Sequence, residues 1–206
     1  MKLTRGRSLS LLVVLLLILD QVVKILVKTH MKIGESIHVF GDWFQILFVE
    51  NEGMAFGMSW GPTTGKYILT AFRIVFSIVL VYYIWKLNKK KVKTGVLVGL
   101  TLVFAGAVGN ILDCLFYGQL FSASTYNSVA TAFPEAGGYA PLMLGKVVDM
   151  LYFPIINTVW PDWMPFCGGD RFVFFSPIFN IADSYVTIAV FYLLIFERKA
   201  LKQWLK

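Results

Sequence analysis

The chain has 206 residues, of which 57% are hydrophobic, 16% aromatic and only 15% charged. That composition excludes an ordinary soluble domain and is that of an integral membrane protein. Lysine plus arginine outnumber aspartate plus glutamate by 19 to 12. The basic residues cluster beside apolar segments, where they read the anionic face of a bilayer, so no nucleic-acid partner is expected.

Crossing a hydrocarbon core of about 30 Å takes roughly 20 apolar residues at a rise of about 1.5 Å each. The first such stretch is Ser8 to Val27, preceded by "MKLTRGR". It has no small-residue cleavage site and runs into "LDQVVK", so it is expected to remain as a transmembrane helix and not to be removed as a secretory leader. The next segment contains "IHVFGDWFQILFVENEGMAFGMS". Aromatic and β-branched residues with Gly, Asn and Asp punctuation predict a small β-structure over about 37–58 on the outer membrane surface. Glu50 and Glu52 flank Asn51 there and are expected to be solvated.

A second helix is predicted over Tyr67 to Leu87, with Arg73 in its outer half either meeting Asp113 or a lipid phosphate, or snorkelling. After "KLNKKKVK" comes a third, Thr94 to Tyr117, in which Gly95, Gly99, Gly106 and Gly109 offer small surfaces for close helix contact. The outer segment Gly118 to Ser176 reads as one long loop, small and polar at first, then carrying Trp160 and Trp163 beside prolines, as suits a membrane interface. The fourth helix is predicted over Pro177 to Phe196, with Ser176 as its cap and Pro177 in its first turn. "ERKALKQWLK" follows it. The three basic clusters fall on one side, so both termini are expected in the cytoplasm. The fold class is therefore mainly α, a single membrane domain of four transmembrane helices with an outer β-cradle and a long outer loop.

Several ionisable residues then lie inside the membrane. At helical rise, Asp20 sits about 18 Å from the start of its helix, Asn110 and Asp113 roughly 24 to 28 Å along theirs, and Asp183 about 9 Å below the outer edge. Their depths converge. A charge inside a bilayer costs at least about 2.5 kcal/mol and marks a site or a pathway. Asn110 and Asp113 are spaced i,i+3, as are Asn180 and Asp183, so each amide shares a helix face with its carboxylate. Asp20 and Lys24 are i,i+4, which suits an internal ion pair. Two neighbouring carboxylates cannot both ionise cheaply, so a close pair shares one proton at neutral pH. His30 and His38 show no ligand spacing, and no metal or other cofactor is expected. A proton or cation transporter would also bury carboxylates, but it needs polar residues continuing toward the cytoplasmic half, which these segments lack. A non-catalytic binding scaffold is the third reading.

"LDQVVK", "NEGMAFG", "GAVGNILD", "VVDM" and "FNIADS", in that order on a four-helix chain, resemble the lipoprotein signal peptidase family, also called signal peptidase II. The resemblance implies an intramembrane aspartyl protease of the bacterial cytoplasmic membrane, with its site toward the outer face. Such an enzyme cuts signal peptides from diacylglyceryl-modified prolipoproteins just before the lipidated cysteine. By motif the dyad would be Asp149 and Asp183, acting as base and acid on a water molecule and the scissile carbonyl; spacing alone leaves Asp113 open as the partner of Asp183, and the resemblance decides for Asp149. Asn180, Ala182, Asn110 and Asp113 would support it, and Asp20, Lys24, Asn51 and Gly53 would position substrate or brace the site. Membrane lipids and cyclic peptide antibiotic inhibitors are the further partners implied. Members commonly carry Arg where this chain has Cys114, so Lys146 or Arg171 is expected to take over the neutralising of Asp113. Spacing leaves a Cys114–Cys167 disulfide open, and two free thiols are the favoured expectation.

Overall fold

The computed structural model describes residues 4–53 and 62–204. Among the described residues, three helices are long and apolar enough to cross a membrane: Arg5–His30, Thr63–Lys89 and Thr94–Leu120. The first of these, α1, turns a row of apolar side chains outward, including Leu11, Leu15, Ile18, Leu19, Val22 and Leu26, each about half exposed. An outward apolar row of this length has a bilayer as its natural solvent. The second, α2 (Pro62–Lys89), does the same with Phe72, Val75, Ile78 and Val79. It begins earlier than hydropathy alone predicts because Pro62 is pre-set for a helical first turn.

The central helix is α3 (Thr94–Leu112), which packs against α1, α2 and α5 (Ile181–Phe196). Close approach depends on the absence of side chains. A Cβ on Gly109 would lie 2.6 Å from the Asp20 carboxylate, and one on Gly106 would strike the Ala182 carbonyl. Beyond Leu112 the helix widens into a π-helical turn, Asp113–Tyr117, and closes with the single turn α4 (Gly118–Leu120). Such a turn frees backbone carbonyls and is frequent at functional sites. The freed carbonyls of Cys114 and Gly118 accept from Gly145 (2.9 Å) and Ala140 (2.9 Å), which stitches the following segment onto the helix end.

The predicted long loop is not one loop. Within it lie β3 (Val147–Tyr152), β4 (Ile156–Val159) and β5 (Arg171–Phe174), and just after it β6 (Ile178–Phe179). With β1 (Ser36–Phe40) and β2 (Phe44–Asn51), β3 and β6 form an antiparallel sheet in the order β1-β2-β3-β6, while β4 and β5 form a separate hairpin. The β-structure is thus larger than the predicted 37–58 segment; the predicted tail after Gly53 falls among residues 54–61, outside the described residues. Phe48, Val148 and Met150 on one sheet face pack with Val27 and Met31 of α1 and with Tyr117 and Phe121. This apolar cluster seats the sheet on the ends of α1 and α3.

The start of the fourth helix also differs from expectation. Ser176 and Pro177 do not cap it; Asn180 does, because Ile178 and Phe179 are taken up by pairing with Tyr152 and Leu151 of β3. Asp183 is therefore the third residue of α5, closing a reciprocal capping box with Asn180, and lies in the first turn instead of well down the helix. α5 spans 16 residues, and a short helix α6 (Arg198–Trp204) follows.

Candidate active site

Strand pairing brings Asp149 to the helices. Val49 of β2 pairs with Asp149, and Asn51 pairs with Val147, so Asn51 and Asp149 are diagonal neighbours on one sheet face. The Asn51 amide donates to Asp149 Oδ2 at 3.1 Å. On the other side β6 runs straight into Asn180, whose amide donates to Asp149 Oδ1 at 2.7 Å and to Asn110 Oδ1 at 3.0 Å. Asn110 in turn donates to Asp183 Oδ1 at 2.8 Å, and the Asn180 backbone N–H donates to Asp183 Oδ2 at 3.2 Å. Asp149 and Asp183 then line one cavity of about 160 Å³ with Asn51, Gly53, Arg73, Asn110 and Val147.

Behind this cavity lies a second carboxylate layer, closed to solvent. Lys24, fully buried, pairs with Asp113 at 2.8 Å and Asp20 at 3.1 Å and donates to Asn110 Oδ1 at 2.9 Å. Asp20 also accepts the Ala182 backbone N–H at 3.0 Å, and Asp113 accepts from Val148 N–H at 3.3 Å. Burying ions is tolerable here because nearly every lone pair and proton has a partner. The sequence-predicted residues Asp20, Lys24, Asn51, Gly53, Asn110, Asp113, Asn180 and Ala182 therefore join Asp149 and Asp183 in one hydrogen-bonded assembly.

Burial, and next the neighbouring Asp183 charge, push the Asp149 carboxyl up from 3.8 to about 6, against the Asn51 and Asn180 amides that favour its ionised form. Its oxygens are thus held by neutral donors while its proton is held more tightly than in water.

Some expectations fail. Asp113 is neutralised by Lys24, not by Lys146, which reaches Glu50 and Glu52, nor by Arg171, which donates to Asn157 on the exposed hairpin. Glu50 is not solvated: it pairs with the buried Lys28, and Ser124 donates to it at 2.8 Å. Glu52, half exposed, pairs with Lys66. Arg73 hydrogen-bonds Gly53 and Cys114 and makes no ion pair with Asp113. Cys114 and Cys167, by contrast, are both free, as favoured from sequence. Gln21, which sequence reasoning passed over, donates to Asp113 at 2.9 Å and to the Gly109 carbonyl at 3.2 Å. Its signal was present, as a lone amide beside Asp20 in an apolar span.

Residues 12–198 match the family described as Signal peptidase (SPase) II. The chain belongs to the signal peptidase II family. It is 49% identical to the lipoprotein signal peptidase of Porphyromonas gingivalis over 195 residues, covering 94% of this chain and 84% of that protein. It is 33% identical to that of Amoebophilus asiaticus, covering 92% and 77%. A solved bacterial membrane enzyme superposes with a TM-score of 0.59 at 29% identity, covering 95% of this chain and 90% of that one. As a signal peptidase II, the chain is an aspartic protease of the membrane that acts on lipoprotein signal peptides. The aspartyl chemistry anticipated from sequence thus has its family, and the transporter and scaffold readings fall away.

Proposed function

We propose that Asp149 and Asp183 are the catalytic dyad, and that they hydrolyse the peptide bond before the diacylglyceryl cysteine of a prolipoprotein. The observation that carries this reading is the shared cavity: these two carboxylates line it, whereas Asp20 and Asp113 are tied to Lys24 behind it. One carboxylate takes a proton from water as the water oxygen bonds to the scissile carbonyl carbon. The other, protonated, donates to the carbonyl oxygen as it gains charge. The tetrahedral intermediate then expels the amine, which leaves with a proton returned by the dyad. Asn51, Asn110 and Asn180 keep the four carboxylate oxygens oriented through this exchange, as supporting residues that need not titrate.

The same reading gives four membrane spans in a single membrane domain. α5 is short for a bilayer, about 24 Å at helical rise, and the aromatic residues before it carry the chain to the outer interface. The clusters Lys89 to Lys93 and Arg198 to Lys202 flank the opposite ends, which supports cytoplasmic termini and a site toward the outer face of the bacterial cytoplasmic membrane. The four-stranded sheet beside the cavity is the cradle for the lipopeptide, membrane lipids surround the helices, and cyclic peptide antibiotics would compete for the cavity.

Purified protein incubated with a diacylglyceryl-modified prolipoprotein should release the signal peptide, read as a gel shift. Asp149→Asn and Asp183→Asn should each remain folded and show no cleavage. An active Asp149→Asn beside a folded but inactive Asp113→Asn would move the catalytic role to Asp113.

A further inference from the structure

Arg73 lies in an apolar stretch of α2, "TAFRIVFS", where an uncommitted guanidinium would snorkel toward headgroups. It turns inward instead and lines the cavity that holds Asp149 and Asp183. Its Nη2 donates to the Gly53 carbonyl at 2.9 Å, and its Nη1 faces Cys114 Sγ at 3.7 Å. Gly53 has φ +76°, a left-handed turn directly after β2, and its own N–H donates to Asn51 Oδ1 at 2.8 Å. With that oxygen anchored, the Asn51 NH₂ group is left facing Asp149 Oδ2, where it donates at 3.1 Å. A reversed amide would set oxygen against oxygen.

The contacts form an unbroken series from Arg73 to Gly53, from Gly53 to Asn51 and from Asn51 to Asp149, spanning α2, the turn, β2 and β3. The other cation of the assembly, Lys24, is already engaged by Asp20 and Asp113. We infer that Arg73 is a positioning residue for hydrolysis: it fastens the Gly53 turn so that Asn51 presents its N–H to Asp149. It acts through Asn51 and not on the substrate. A planar fork suits this task, since one guanidinium nitrogen holds the carbonyl while another rests on the thiol, a geometry that a lysine cannot reproduce. The inference rests on the reading of Asp149 and Asp183 as the dyad.

The test is a double-mutant cycle on the full chain, with kcat and KM measured on a diacylglyceryl-modified prolipoprotein. Arg73→Gln and Asn51→Ala should each lower kcat about 10- to 100-fold, the cost of a small misplacement at a catalytic group. KM should stay within about twofold, because ground-state binding is untouched. The combined variant should be no slower than the slower single variant, because one series of contacts can be broken only once. Arg73→Lys should recover part of the loss. Losses that multiply in the double variant, a raised KM with kcat intact, or a lowered melting temperature with normal kcat per folded molecule would each overturn the role. If Arg73→Gln does not fold, the cycle is run with Arg73→Lys, which keeps the charge and one donor, and the same non-multiplying loss is required. Asp149→Asn is assayed in parallel: cleavage by that variant would overturn the dyad itself, whatever the cycle gives.

Discussion

Asn180 holds both carboxylates of the cavity at once, donating from its side chain to Asp149 at 2.7 Å and from its backbone to Asp183 at 3.2 Å. It also caps α5, so helix initiation and site assembly are one event. Asn180→Ala should cost about 1 kcal/mol of stability as a lost cap and far more in activity, because Asp149 loses its shorter hydrogen bond. Asn180→Ser, which can still cap but is too short to reach Asp149, separates the two effects: stability should return while cleavage stays low. Recovery of both together would tie Asn180 to folding alone.

The raised Asp149 carboxyl predicts a dependence of stability on pH. Its proton is held up to about 6 in the fold, against 3.8 ordinarily. The folded chain therefore binds more protons between these values, and the stability this group contributes, complete below the ordinary range, is lost as pH rises to about 6. Asp149→Asn removes the penalty of an ionised carboxylate. At pH 7 the variant should be more stable than the parent by on the order of 2 kcal/mol, the gap closing toward about pH 4, and inactive throughout. Thermal unfolding across this range checks it. A variant less stable than the parent at both ends would mean that the hydrogen bonds of Asp149 outweigh its burial.

Lys24 carries the balance of the inner layer. Lys24→Met leaves Asp20 and Asp113 facing each other in a closed interior without a cation, and should destabilise the protein by about 3–5 kcal/mol. Adding Asp113→Asn should recover part of that loss, since it removes one of the stranded charges. Unfolding of the single and double variants in detergent measures the coupling, and a double variant no more stable than Lys24→Met would contradict it.

Gly53 combines a left-handed backbone with a tight neighbour: a Cβ there would lie 2.9 Å from Arg73 Nη1. Gly53→Val should lower turnover more than it lowers the melting temperature, because the strain falls on the turn after β2 and not on the helical core. Activity equal to the parent would remove this turn from the mechanism. Gly57, the last residue of the "NEGMAFG" motif, lies outside the described residues.

Much of the helical half was legible from sequence because its signals are local. A rise of about 1.5 Å per residue converts sequence position into depth, and an i,i+3 or i,i+4 spacing converts it into a shared face, so the convergence of Asp20, Asn110 and Asp113 follows without coordinates. The depth of Asp183, counted from Ser176, does not, since its helix starts only after Asn180. The Asp20–Lys24 pair is such a local relationship. The five motifs added Asp149, which no periodicity could have supplied.

What the tertiary structure alone decided depends on contacts between residues distant in sequence. Asp149 reaches the helices because β3 pairs with β2, almost a hundred positions earlier, and with β6. Short apolar runs such as "VVDMLY" carry no periodicity that tells a strand from a loop until those partners are known. Glu50 reads as a surface charge until Lys28 and Ser124 close over it. Arg73 reads as a snorkelling side chain until the Gly53 carbonyl is found within its reach. Residue type and helical spacing determined which groups lie on the apolar helices; long-range strand register decided which of them meet.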